Sequence, residues 1–129
     1  MKIALDAMGG DQAPDVTIGG ARNALAAYPS IERLFLVGDE SRLREGCREK
    51  KLNDSRLEII HAPEVVGMSE SAVGAIRRKK TSSISVATEM VKEGQADAVV
   101  SAGNTGAAVA ACTLKLRHLE GVELSLIHI

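Results

Sequence analysis

Aromatic residues are nearly absent. Tyr28 and Phe35 are the only two among 129 residues, and there is no tryptophan. A core without rings must be assembled from Ala, Val, Leu and Ile. That suits helices packed closely on a sheet and removes the stacking platforms on which single-stranded nucleic acids are held. An excess of one charge sign is missing too. Sixteen Lys and Arg stand against 17 Asp and Glu, a net charge of −1, which argues against a general nucleic-acid binder. Cysteine is scarce. Cys47 and Cys112 lie far apart and outside any CxxC spacing, so neither a disulfide framework nor a zinc site is expected, and a reducing cytoplasm is the expected compartment. No apolar run approaches the roughly 20 residues that span a bilayer. The run from Ile3 to Leu5 stops at Asp6, too short for a signal-peptide core.

What is present is a globular composition, 45% hydrophobic and 26% charged, in a chain long enough for one compact domain. Residues 2–6 (KIALD), 33–37 (RLFLV), 56–61 (RLEIIH) and 97–102 (DAVVSA) read as short strands. Helical spacing follows each of them. Pro14 suits the first turn of a helix that carries Val16, Ala21, Leu25 and Tyr28. Asp39 is a suitable N-cap for a polar helix to about Lys51, with Leu43 and Cys47 on its buried face. Residues 69–80 read as a short helix or an irregular arm. Ser82 or Ser83 caps a further helix with Ile84, Ala87, Met90 and Val91 as its stripe and Gly94 as its stop. An Ala-rich helix runs from the Gly103–Gly106 turn to about His118. Continuous apolar strands alternating with helices predict an α/β fold, a parallel sheet covered on both faces as an αβα sandwich. The strand-to-helix loops then gather at the carboxyl ends of the strands.

Two of those loops carry chemistry. One runs Asp6-Ala7-Met8-Gly9-Gly10-Asp11, the other Ser101-Ala102-Gly103-Asn104-Thr105-Gly106. Their glycines let the backbone come close to a ligand, and each precedes a helix whose N–H groups and dipole favour an anion. The second loop adds hydroxyl and amide donors. The same composition also serves an ordinary tight turn and helix cap. Neither loop is a Walker A or a GxGxxG motif. Four cations, Arg77-Arg78-Lys79-Lys80, lead into Thr81-Ser82-Ser83. This run reads as a solvated face, an anion site or a docking patch for an acidic partner. His61 and His118 sit at element ends, where structural or exposed roles are expected. No group has metal-ligand spacing, and no cofactor is expected.

Three segments together resemble a known family. Residues 1–14 (MKIALDAMGGDQAP), 77–84 (RRKKTSSI) and 96–107 (ADAVVSAGNTGA) are similar to motifs of the bacterial phosphate acyltransferases of phospholipid synthesis. The resemblance implies a Rossmann-like, isopropylmalate-dehydrogenase-like sheet, incomplete here because the family chain is more than twice as long. It implies transfer of a long fatty-acyl group from acyl carrier protein to inorganic phosphate, giving acyl phosphate. It implies a metal-independent, cytoplasmic homodimer associated peripherally with the membrane. On that basis Asp6, Lys79, Lys80 and Asn104 are the expected catalytic residues. Gly9, Gly10, Asp11, Ser82, Ser83, Ser101, Gly103, Thr105 and Gly106 are expected at the phosphate, and Arg77 and Arg78 at the carrier protein. A non-catalytic anion- or carrier-binding module and a coenzyme A-dependent transferase are the alternatives. Ser71 stands where many relatives carry Pro. The domain is expected to span 1–123. Residues 124–129 (LSLIHI) depart from the family pattern and read as a non-native or disordered tail.

Overall fold

The computed structural model describes residues 1–121. The end of the domain at residue 123 and the tail at 124–129 lie outside them. The elements run β1 (Lys2–Asp6), α1 (Asp15–Ala27), β2 (Arg33–Gly38), α2 (Glu40–Glu49), β3 (Leu57–His61), α3 (Ala72–Arg78), α4 (Ser83–Lys92), β4 (Ala98–Ser101) and α5 (Thr105–Lys115). Every strand and helix read from the sequence is present. The segment at 69–80 forms a two-turn helix, α3. Helix α5 stops short of His118, because Arg117 takes a left-handed φ of 64° and its N–H closes on the Cys112 carbonyl at 3.0 Å.

Side-chain caps fix three helix starts. Asp39 accepts from the Arg42 N–H at 3.1 Å, Ser82 from Ser85 at 3.3 Å and Asn104 from Ala107 at 3.1 Å. Gly94, at φ 79°, ends α4. At the other edge of the sheet, the Arg56 guanidinium donates to the Leu25, Tyr28 and Ile31 carbonyls and pairs with Asp54. The Leu25 carbonyl lies in the last turn of α1, where the helix supplies no donor of its own.

The four strands form one parallel sheet in the order β3-β2-β1-β4. Alternate residues face opposite layers. Ile3, Leu5, Leu34 and Leu36 pack with Ile18 and Leu25 of α1 and Leu43 of α2. Ala4, Phe35 and Val37 pack with Ala87 and Met90 of α4. A third apolar cluster joins α3, α4 and α5 through Ala75, Ile76, Ile84, Ala107 and Ala111. Small side chains are required there. A Cβ on Gly106 would lie only 2.9 Å from that of Ala72. The molecule is thus a Rossmann-like αβα arrangement.

The strand order sets the position of the site. The chain steps from β1 through β2 to β3, then returns to place β4 on the other side of β1. The loops after β1 and β4 therefore leave neighbouring strands for opposite faces of the sheet. In open parallel sheets ligands enter at this reversal, outside the carboxyl ends of the strands.

Candidate active site

Asp6 and Ser101 are register partners at the ends of β1 and β4. The Ser101 hydroxyl donates to Asp6 Oδ2 at 2.8 Å, and Ser101 Oγ accepts the Gly103 N–H at 3.1 Å. Asp6 is 3% exposed, and its Oδ1 has no hydrogen-bond partner among the described residues. Gly9 and Gly103 lie backbone to backbone above it. A Cβ on Gly9 would stand 2.7 Å from Gly103 N and 2.8 Å from Asp6 Oδ2, and one on Gly103 would stand 3.0 Å from the Gly9 Cα. These glycines let two loops from opposite ends of the chain meet over one carboxylate. Gly10 turns the first loop at φ 101°. Thr17 ties that loop to α1, its hydroxyl donating to the Ala7 carbonyl at 2.6 Å. Asp11 is exposed.

Asn104 heads α5 and faces two ways. Its Oδ1 caps the helix, while Nδ2 donates to the Gly67, Met68 and Glu70 carbonyls at 3.0–3.2 Å. The cap takes the Ala107 N–H, and the Asn104 carbonyl takes that of Ala108. The N–H groups of Thr105 and Gly106 have no acceptor among the described residues. They sit at the positive end of the helix dipole, and the exposed Thr105 side chain lies beside them.

Lys79 belongs to this neighbourhood by a different route. Its Nζ donates to Glu70 Oε2 at 2.8 Å and to the Val65 carbonyl at 2.9 Å. Glu70 Oε2 also accepts the Gly67 N–H at 2.5 Å. The Lys79 hydrogen bond, followed by that of Gly67, holds the Glu70 carboxyl below its ordinary value. Nothing in the sequence singled out Glu70. A carboxylate three residues from the glycine whose N–H it accepts is the only local hint.

The structure therefore gathers Asp6, Gly9, Gly10, Ser101 and Gly103 in one group. Asn104, Thr105 and Gly106 continue it, and Lys79 joins through the loop from Val65 to Glu70. Ser82 and Ser83 are buried at the head of α4, where Ser82 Oγ is engaged in capping and the Ser83 N–H bonds the Glu64 carbonyl at 2.9 Å. Lys80 is exposed and lines a groove with Ser85, Glu89 and Lys115. Arg77 and Arg78 are exposed on the last turn of α3. His61 is a structural acceptor, its Nδ1 taking the Glu40 N–H at 3.2 Å. Burial raises the Cys47 thiol above its ordinary value, which disfavours the nucleophilic thiolate. Among the described residues no group of three His, Cys, Asp or Glu side chains could hold a metal ion. No helix among them is long and apolar enough to cross a membrane.

The chain matches a family model described as fatty acid synthesis protein over residues 1–129. The chain belongs to this family. Three similar relatives all carry the name phosphate acyltransferase. One from Akkermansia muciniphila is 58% identical over 123 residues, 95% of this chain and 35% of its own. One from Desulforamulus reducens is 51% identical over 127 residues, 95% of this chain and 36% of its own. One from Levilactobacillus brevis is 48% identical over 123 residues, 95% of this chain and 34% of its own. The chain spans about a third of the length of these family members.

Proposed function

We propose that the complete protein carrying this chain transfers a long-chain fatty-acyl group from acyl carrier protein to inorganic phosphate. The product is acyl phosphate for phospholipid synthesis. The observation that carries this reading is the shared name of relatives 48–58% identical across 95% of the chain. A phosphate oxygen attacks the thioester carbonyl carbon. A C–O bond forms, the C–S bond breaks, and the leaving thiolate takes up a proton. Phosphate is itself the nucleophile, so no acyl-enzyme is required.

The chemistry needs phosphate held close to the carbonyl and donors for the oxyanion that develops. The N–H groups of Thr105 and Gly106, without an acceptor among the described residues, suit either anion together with the Thr105 hydroxyl. In this reading Asp6 holds the two glycine loops in register through Ser101, and Asn104 sets the head of α5. Lys79, paired with Glu70, fixes the loop beside the anion site, and Arg77 and Arg78 dock the acidic carrier protein. The enzyme acts as a cytoplasmic homodimer associated peripherally with the membrane.

The test incubates the complete protein with acyl carrier protein thioester and labelled phosphate. Label is expected in a lipid-soluble product, with one free thiol released per label. Thiol release that does not require phosphate would refute the reading. Use of coenzyme A thioesters in place of the carrier protein would replace the proposed donor.

A further inference from the structure

One carboxylate outside all three sequence motifs holds the wall of the site together. Glu70 Oε2 accepts both the Gly67 N–H and the Lys79 ammonium, and the Glu70 carbonyl accepts Asn104 Nδ2 at 3.1 Å. The loop it closes is otherwise fixed by the Glu70 N–H donating to the Gly67 carbonyl at 3.2 Å, by the Asn104 and Lys79 hydrogen bonds and by Val66, which is buried among α3 and α5. Gly67 fits this contact. A Cβ there would stand 3.2 Å from Glu70 Oε2, so a larger residue would crowd the carboxylate. Removing the Glu70 side chain leaves the Gly67 N–H without its acceptor and Lys79 without its counter-ion. It also loosens the carbonyls that orient the Asn104 amide. Asn104 caps α5 with the same side chain, so disorder in the loop reaches the Thr105 and Gly106 N–H groups through that cap.

We propose that Glu70 is a positioning residue for the anion site. It locks the loop from Val65 to Glu70 and Lys79 into one unit, and through Asn104 fixes the donor geometry at the head of α5. This rests on the transfer reading above for its kinetic consequence but not for its structural one.

The experiment uses the complete protein with Glu70→Ala and Glu70→Gln, reading two quantities. Backbone hydrogen exchange is measured across residues 64–70 and 104–108. The Michaelis constants for phosphate and for the acyl donor are measured separately from kcat. Glu70→Ala is expected to speed exchange in both segments and to raise the phosphate constant about tenfold, the scale of one charge-assisted hydrogen bond. The acyl-donor constant should stay within about twofold. Glu70→Gln keeps an acceptor for Gly67 and should fall between the two. Unchanged exchange in both segments overturns the proposal, as does a loss in kcat with no change in the phosphate constant. A protein that makes no acyl phosphate fails the transfer reading alone, and the exchange arm still decides whether Glu70 orders the site. Should Glu70→Ala not fold, Glu70→Gln and Gly67→Ala attack the same contact from its two sides.

Discussion

Asn104 shows how much one side chain can connect. Its oxygen caps α5 and its nitrogen serves three carbonyls of a loop more than 30 residues away in sequence. The two duties are separable by substitution. Asn104→Ala removes both and is expected to destabilise the fold by about 2 kcal/mol, a cap plus a shared set of neutral hydrogen bonds. Asn104→Asp keeps the cap but turns a carboxylate towards those carbonyls. It should therefore loosen the loop as much as Ala does while preserving the α5 start, as hydrogen exchange at Ala107 against Met68 would show. The Glu70 contact is expected to weaken in acid. Its charged neighbours are Lys79 and Arg78, and its carboxyl lies below the ordinary glutamate value of 4.5 in the folded protein. A carboxyl lowered on folding stabilises above its unfolded value, and that contribution is lost as pH falls through its folded one. Protection of the 64–70 amides should hold steady above about pH 5 and decline below it, by this linkage. Glu70→Gln should abolish the pH dependence of that protection.

At the level of elements, glycines in three different places have three different reasons. Gly9 faces the backbone of Gly103, which cannot yield, whereas a Cβ on Gly46 would meet only the end of the Ile18 side chain at 2.4 Å. Gly9→Ala is therefore expected to cost about 1–3 kcal/mol, the usual range for overpacking. Gly46→Ala lies inside α2, where the gain in helix propensity of about 1 kcal/mol offsets the shift of a flexible methyl. Paired thermal or denaturant melts would separate the two. Gly106 is different again, set by the distance between α3 and α5. The strands, the helices and the cap at Asp39 were legible in the sequence because each rests on neighbours a few residues away, and the α4 cap was narrowed to Ser82 or Ser83. The strand order was not, since no local pattern records which side of β1 receives β4. The glycines of the two loops were legible only as places where backbone could come close to a ligand. That they approach each other depends on that order. Glu70 escaped notice for the same reason. Its partners are separated from it by a turn and a helix, and a lone Glu in a polar loop resembles any solvated residue.

The whole molecule has an unfinished side. Strand β4 has four residues and pairs only with β1 among the described strands. On the α1 face beside it lies an open apolar groove of about 340 Å³, lined by Ile3, Leu5, Val16, Ala24, Leu34 and Val100. Val100 is 49% exposed. Helix α5 packs on α4, on the opposite face. A right-handed crossover from β4 through α5 would place a following strand beyond β4, next to this groove. Relatives about three times as long have the chain to fill it. The 129-residue chain alone is expected to bind a hydrophobic dye and to self-associate in size-exclusion chromatography. Val100→Lys should weaken both, and the complete protein should not bind the dye and should associate no further than the proposed dimer.

The hydrogen bond between Asp6 and Ser101 joins residues 95 positions apart. That separation has a consequence in time. Residues 1–61 can pair three strands as soon as they leave a ribosome, because β1, β2 and β3 are sequential neighbours. The site has to wait for β4. Until Ser101 and Gly103 emerge, Asp6 has no partner for its carboxylate, and the first glycine loop has no backbone to rest against. Closing so long a loop comes late in folding and slows it. A nascent chain therefore carries a sheet before it carries the paired glycine loops, and that edge closes as a single late event.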